Sequence, residues 1–448
     1  MSTQDGSRAT FTTGGAAVLA MIGVAVGLGN FWRFPYLVGR FGGAAFVLFY
    51  LLLVVAIGVP GLAAEWALGR HTRRGALGAF ERARMPFGRA LGWFLFCMVI
   101  ASNAYYSAAV GWVLAHTSAA VMAIVGVRLN ASAVLPPAQG FDLRSYGLQF
   151  LFTALVVSSS ALVLIRGLRG GIEKMSRLLV PALYLVLIAL IVRGVTLPGA
   201  GAGLHWYLLK VQWSDITGAV MIAALGQVMF SLALGGTFMV VYGSYLPERA
   251  NLPRASLITA SADTAAGILA GLAIFPAVFA LGLEPASGPT LIFETLPRMF
   301  AAMPAGKIFA LALYGGLFFA ALLSAMAALE VAVAGLTDNT RLRRTPATLL
   351  VCSLVLLLSL PPTLNQRIFV PWDLAFGSGM QTFGALMAAL AFGWTLDRGH
   401  ALAALARYDG DPLARFLHVW IRFVLPGGIL LVFVWWLLSD VLKLVGRV

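Results

Sequence analysis

The sequence predicts an all-α polytopic membrane protein with about eleven transmembrane helices, built as a 5+5 inverted repeat in which helices 1 and 6 are broken. Three observations predict it. The 448 residues are 60% hydrophobic and only 11% charged, against about 25% charged in soluble domains, so water-soluble classes are excluded. The apolar residues fall into eleven runs long enough to cross a bilayer. Two of those runs, five helices apart, carry glycine clusters at their middles, the mark of broken helices in matching positions of two halves.

The first run, residues 13–38, follows the polar segment MSTQDGSRATFTTGG. That segment lacks the apolar core and cleavage site of a signal peptide, so the first helix is expected to be retained. The other runs fall at 43–69, 91–125, 145–165, 178–197, 215–243, 255–281, 307–336, 345–361, 372–396 and 416–441. Arg70, Arg73, Arg74, Arg82, Arg84 and Arg89 follow the second run, and Arg166, Arg169, Lys174 and Arg177 follow the fourth. Arg341, Arg343 and Arg344 follow the eighth, and Arg398, Arg407 and Arg415 the tenth. The alternate connections are poorer in Arg and Lys. The positive-inside rule then puts the N-terminus in the cytoplasm and, with an odd helix count, the C-terminus outside the inner (plasma) membrane. The organisation expected is a cytoplasmic segment 1–12, a first repeat 13–200, a second repeat 201–396, and a cytoplasmic loop with helix 11 over 397–448. The long connections near 126–144, 198–214 and 282–306 have room for short surface helices on the outer face.

The net charge of +14 is read as topology and not as nucleic-acid binding, because the positive residues sit in the loops. Cys97 and Cys352 lie in separate apolar runs, which leaves no disulfide framework and no metal spacing, and the five His are scattered.

The first run contains GVAVGLGNFWRFPY, Gly23 to Tyr36. Each Gly costs a helix about 1 kcal/mol relative to Ala, and a charge near the bilayer centre roughly 2.5–3.5 kcal/mol. The sixth run, GQVMFSLALGGTFMVVYGSYL, places Gly235 and Gly236 at its middle with Ser231 just before them. Unwound backbone in a membrane is tolerated where it lines a cavity or is buried in protein. There, freed N–H groups hold an anion and freed carbonyls a cation. Close packing of small residues is the rival explanation for one such run. Two runs in register, one of them carrying Asn30 and Arg33, favour a binding site.

AVGLGNFWRFPY, followed by GGAAFVLFYLLLVVAIGVPGLAAEWALGR, resembles the first two helices of the neurotransmitter:sodium symporter family. The resemblance continues through NAYYSAAVGW, GQVMFSLALGG, LAGLAIFPAVFA and LFFAALLSAMAALE and covers nearly the whole chain. It implies a bacterial member with a LeuT-like fold: a sodium-coupled symporter importing an amino acid by alternating access. The substrate carboxylate would meet the backbone N–H groups of Leu28 and Gly29 and the Tyr106 hydroxyl, donors suited to a desolvated carboxylate. Ala25 and Ser231 would border it. The first sodium site would use the Ala25 carbonyl, the Asn30 side chain and Ser231. Ala262 stands where the family carries an asparagine, and Asp263 beside it is expected to be a ligand or near neighbour, since a lone intramembrane acid is functional by default. A permanent negative charge there makes chloride dependence unexpected.

The second sodium site would use the carbonyls of Gly23, Val26 and Ala320 and the Ser324 hydroxyl. Leu323 replaces a hydroxyl usual in the family, so the resemblance leaves the count at one or two Na+ ions. Arg33 would pair with Asp373 as the outer gate, and Arg8 with Asp338, near Tyr245, as the inner one. Glu65 would support the unwound first helix, and Glu330 would be structural. The side-chain pocket would be lined by Val24, Ser102, Phe230, Ala233, Gly236, Ser324 and Ala328. Gly236 and Ala328 stand where some members carry bulky groups, so a large hydrophobic or aromatic amino acid is expected.

Other classes compete. The same fold driven by protons would titrate Asp263 or Glu65. A channel or receptor-like member would tend to lose the gate pairs, whereas Arg33 and Asp338 remain. An enzyme would need a nucleophile with a base, and no His stands with a Ser in a recognisable motif, so none is expected. The partners expected are an amino acid and the lipid bilayer; the sequence leaves the oligomeric state open.

Overall fold

The computed structural model describes residues 10–211, 217–283, 292–293, 295–302 and 304–438, and among them every regular element is helical. Lipid leaves no partner for an open backbone group, so the apolar runs close their hydrogen bonds internally as helices. α1 (Gly14–Ala25) and α2 (Gly29–Arg40) form a pair bent by 51°. α3 (Ala44–Thr72), α4 (Gly88–Ile124), α5 (Leu143–Ile165) and α6 (Leu168–Val195) follow. α7 (Gly218–Ser231) and α8 (Phe238–Ser244) flank a second break. α9 (Leu252–Ala280), α10 (Gly306–Asn339), α11 (Arg344–Ser359), α12 (Gln366–Thr395) and α13 (Pro412–Leu431) complete the bundle. Among the described residues, eight helices are long and apolar enough to cross a bilayer, and the α1–α2 pair makes a ninth. The shorter apolar α7 and α11 fall on the two remaining expected runs. Short helices at Ala200–Leu208 and Thr295–Ala302, and a 3-10 turn at Ala131–Val134, occupy the three long connections.

The start of α6 differs most from the sequence expectation, and α12 also begins earlier, at Gln366 and not near 372. α6 starts at Leu168, not near 178, with a π-helical first stretch through Glu173. The glycine pair and charges of GLRGGIEK suggest a loop, but the buried Glu173 has partners. It accepts the Thr12 N–H at 3.2 Å and the Thr12 hydroxyl, and Arg177 one turn on donates to it at 2.7 Å. A charge that is paired and hydrogen-bonded can enter a helix that an unpaired one would end.

α10 is the central helix. Of its most apolar stretch 83% is buried inside the protein, against 33% for α6 and for α13, which therefore face outward. α4 lies along α10, and α8 lies along α3. In the second contact Gly69 of α3 touches backbone. A Cβ there would fall on the Val240 carbonyl and 2.9 Å from the Ser244 nitrogen. Trp66 on the same helix donates its indole N–H to the Met239 sulfur at 3.2 Å. The second half of the sixth run thus meets the second helix backbone to backbone at Gly69, with the Trp66–Met239 side-chain contact beside it.

Gly69→Val should lower the thermal unfolding midpoint in detergent, because overpacking costs about 1–3 kcal/mol and rigid backbone cannot yield. Gly14→Ala, where a Cβ would meet nothing within 4 Å, should leave the midpoint unchanged.

Candidate functional site

The site forms where the two breaks meet. α1 stops at Ala25, and Val26 turns extended at φ −71°, ψ 113°. Asn30 folds back over the break: its Oδ1 accepts the Gly27 N–H at 2.9 Å. Its Nδ2 donates to the Asp263 carbonyl and to Asp263 Oδ1, both at 2.8 Å, and to Ser231 Oγ at 3.1 Å. Ser231, the last residue of α7, donates to Asp263 Oδ2 at 2.7 Å. All three side chains are buried, and among the described residues no cationic side chain pairs with Asp263. A carboxylate, a hydroxyl and backbone carbonyls are the hard oxygen donors a cation such as sodium takes, and a buried carboxylate with neutral partners calls for a cation or a proton. The donor set therefore fits sodium, with one difference from the sequence expectation. Asn30 gives its oxygen to Gly27 and its nitrogen to the carboxylate, so in this arrangement it positions Asp263.

The residues expected around a second ion are partly together. Ser324 Oγ lies within hydrogen-bonding distance of the carbonyls of Val24 (3.1 Å), Val26 (3.3 Å) and Ala320 (3.4 Å). Gly23 sits to the side. A Cβ on it would lie 3.3 Å from a Leu323 methyl and 3.2 Å from Ser176 Oγ. An apolar group thus stands beside Gly23 at the position where the resemblance calls for a hydroxyl.

Tyr106 turns its hydroxyl toward the Leu28 N–H and Ser324. Gly27 lies beneath them, and a Cβ there would come within 2.5 Å of Ser324 Oγ and 3.0 Å of the Tyr106 oxygen. Gly27 is therefore a site residue that the sequence reading missed. So is Gln227, fully buried, which donates to the Gly29 carbonyl at 3.0 Å; its only signal was a polar residue inside an apolar run. Phe230 packs on Gly29, and the Arg33 guanidinium stands 4.6 Å over its ring. Among the described residues Arg33 and Asp373 form no direct ion pair, and Asp373 Oδ1 and the Tyr105 hydroxyl converge beside Gly377.

In the second break Ala233, Gly235 and Thr237 take left-handed φ values of 51°, 84° and 57°. Two expectations are corrected here. Glu65 does not reach the first break; its Oε1 accepts the Gly235 N–H at 2.7 Å and so supports the sixth run. Nor does Gly236 leave a void. It has no positive φ, and the Phe238 ring lies where a Cβ at 236 would stand. The space left beside that ring is a narrow cleft of about 10 Å³, bordered by Ser102, Gly235, Gly236, Phe238, Phe376 and Met380. Of the expected pocket residues Ser102 and Gly236 border it. Val24, Ala25 and Ala328 are packed in the core, Ala233 lies partly buried against it, and Phe230 and Ser324 belong to the first-break face.

At the other end, Arg8 lies outside the described residues. Asp338 accepts the Gly75 N–H at 2.9 Å, and its carbonyl accepts from Arg74 at 3.0 Å. The Tyr245 hydroxyl donates to Glu330 at 2.7 Å, and Arg344 grips both Glu330 oxygens at 2.6 and 3.2 Å. Glu330 is thus the centre of a buried charge pair joining α8, α10 and α11.

Residues 8–125 and 142–442 match the model of the sodium:neurotransmitter symporter family. The chain is 33% identical to a sodium-dependent transporter of Haemophilus influenzae, over 97% of this chain and 99% of that one. It is 32% identical to a sodium-dependent transporter of Bacillus subtilis, over 93% and 95% of the two chains. Among solved structures it is similar to MhsT in complex with L-phenylalanine, with TM-score 0.83 and 33% identity, over 96% of this chain and 99% of that one.

Glu65→Ala should lower thermal stability, since a buried N–H left unpaired costs about 1–3 kcal/mol. Glu65→Gln keeps an acceptor and should stay near the native midpoint. Equal losses in both would show that the carboxylate does more than accept the Gly235 N–H.

Proposed function

This chain belongs to the sodium:neurotransmitter symporter family, and from that premise we propose that it imports a large hydrophobic or aromatic amino acid with sodium by alternating access. That it is a sodium-dependent, multi-pass membrane transporter and not an enzyme follows from the family itself. The amino-acid substrate, the ion count, the inner-membrane location with a cytoplasmic N-terminus, and the repeats 13–200 and 201–396 are the reading put forward here.

The observation that carries it is the buried Asp263–Ser231–Asn30 cluster at the meeting point of both breaks, with no cationic side chain paired to it among the described residues. Sodium bound there would supply the positive charge that offsets Asp263. Asn30 and Ser231 hold the carboxylate in place, and the Leu28 N–H and Tyr106 hydroxyl, which face each other in this arrangement, would turn to a substrate carboxylate. The Gly23, Val26, Ala320 and Ser324 set is proposed as a second, weaker ion site, because Leu323 offers a methyl where a hydroxyl would bind. Arg33 and Asp373 on one side, and Arg8, Asp338 and Tyr245 on the other, are proposed as gates. The cleft beside Phe238 is narrow, so a large side chain would enter, with Ser102 as a polar contact, once the Phe238 ring swings aside. The phenylalanine in the MhsT complex belongs to that protein and is in keeping with the proposal.

Proteoliposomes carrying the protein should accumulate phenylalanine or a related amino acid when a sodium gradient points inward. Asn30→Ala should weaken sodium and substrate binding together, and Leu323→Thr should raise sodium affinity. Equal uptake with choline in place of sodium at clamped pH would overturn sodium coupling and favour a proton on Asp263.

The Phe238 ring should set the size limit. Phe238→Leu should shift preference toward the largest side chains by roughly tenfold, the discrimination available from about 1–3 kcal/mol of apolar contact. Competition binding of tryptophan against leucine measures it.

A further inference from the structure

We propose that the contact between the end of α12 and the start of α13 is a binding site for the phosphate of an anionic phospholipid, in the leaflet on the side of the basic loops. The proposal rests on the membrane placement above and is independent of the substrate and ion assignments.

Two π-helical turns meet there, Ala391–Thr395 in α12 and Trp420–Val424 in α13. Single π turns are rare and often re-aim a functional side chain. Gly393 allows the approach, since a Cβ on it would lie 2.9 Å from Arg422 Cα. Trp394 donates its indole N–H to the Arg422 carbonyl at 2.9 Å, and the Arg422 guanidinium lies 4.4 Å over the Trp394 ring. The cation is therefore held in a fixed orientation by its own neighbour.

Among the described residues it has no anionic partner. Its Nε is buried without a hydrogen bond, and its other nitrogens bond to no side chain or carbonyl. The nearby acids are engaged elsewhere. Asp411 pairs with Arg407 at 3.0 Å, and the exposed Asp397 caps the next helix through the Gly399 N–H at 2.9 Å and lies 3.4 Å from His400. His418, one turn before Arg422, is buried with both ring nitrogens unpartnered, and Arg398 adds positive charge beside it. A cation at membrane depth with no acid beside it calls for an anion.

The surroundings say which anion. Trp394 at the end of α12 and Phe423 on the outward-facing α13 flank the guanidinium, and both, with the neighbouring Val419, are more than half exposed. An apolar surface flanking a cation suits acyl chains joined to a phosphate and does not suit a soluble anion. Arginine binds phosphate bidentately, and tryptophan sits at the headgroup level of bilayers.

The test is native mass spectrometry of the purified protein in detergent, titrated with dioleoylphosphatidylglycerol and with dioleoylphosphatidylcholine. The native protein should retain phosphatidylglycerol about fivefold more tightly, the ratio expected when one basic group meets an anionic headgroup. Arg422→Gln should erase the preference, and Arg422→Lys should keep part of it, because charge remains while stacking is lost. Should Arg422→Gln fail to fold, Trp394→Leu, which frees the guanidinium from its platform, should reduce the preference. An unchanged preference in the folded variant overturns the proposal. So does competition by sodium phosphate at matched concentration, which would mark a soluble anion, or a dimer of the native protein that Arg422→Gln dissolves, which would mark a second copy on this face.

Discussion

The Asp263 carboxylate is held by a hydroxyl from the end of α7 and an amide from the start of α2, so one side chain of an unbroken helix ties together both interrupted ones. Its partners are neutral and its burial is complete. Such a group is stable as a charge only when something positive comes to it. The positions of Asn30, Ser231 and the unwound residues near them are all set by the need to keep that carboxylate hydrogen-bonded. Because the amide also receives the Gly27 N–H, a change at Asp263 is felt directly by the backbone of the first break.

The same economy governs the backbone that the breaks expose. The Gly27 N–H goes to Asn30, the Gly29 carbonyl to Gln227, and the Gly235 N–H to Glu65. Asn30 folds back from three residues along the same run, Gln227 and Glu65 reach from other helices, and in lipid no water stands ready to do the work instead. The interrupted helices are therefore cross-linked by polar side chains at the points where their own ladders stop.

Most of the architecture was legible in the sequence because it follows from local pattern. Long apolar runs, basic loops and two glycine clusters need no knowledge of distant contacts. The Asn30, Ser231 and Asp263 grouping was legible through resemblance, as intramembrane polar residues in matching motifs. What was not legible depends on packing across the fold. Glu65 reads as a lone acid on α3, and only the third dimension shows it bonding to the sixth run and not to the first. Gly236 reads as empty volume, yet a ring two residues along the chain turns back into it. The start of α6 was misread because Thr12, which donates two hydrogen bonds to Glu173, lies 161 positions away, while the charge partner Arg177 is local. Gly27 belonged to the first glycine cluster and Gln227 was a polar residue inside an apolar run, but neither mark told which backbone or hydroxyl the residue would meet.

The backbone-to-backbone contact of α3 with α8 has a consequence for motion. Helices separated by side chains can slide past one another as the rotamers adjust, which is how shear transitions proceed. Where Gly69 lies against the Val240 carbonyl there is no side-chain layer to deform, so this pair has one register and moves as a single rigid body. Any opening of the protein on that side must then be a hinge movement, with the change in dihedral angles absorbed at the left-handed residues Ala233, Gly235 and Thr237 just beyond the lock.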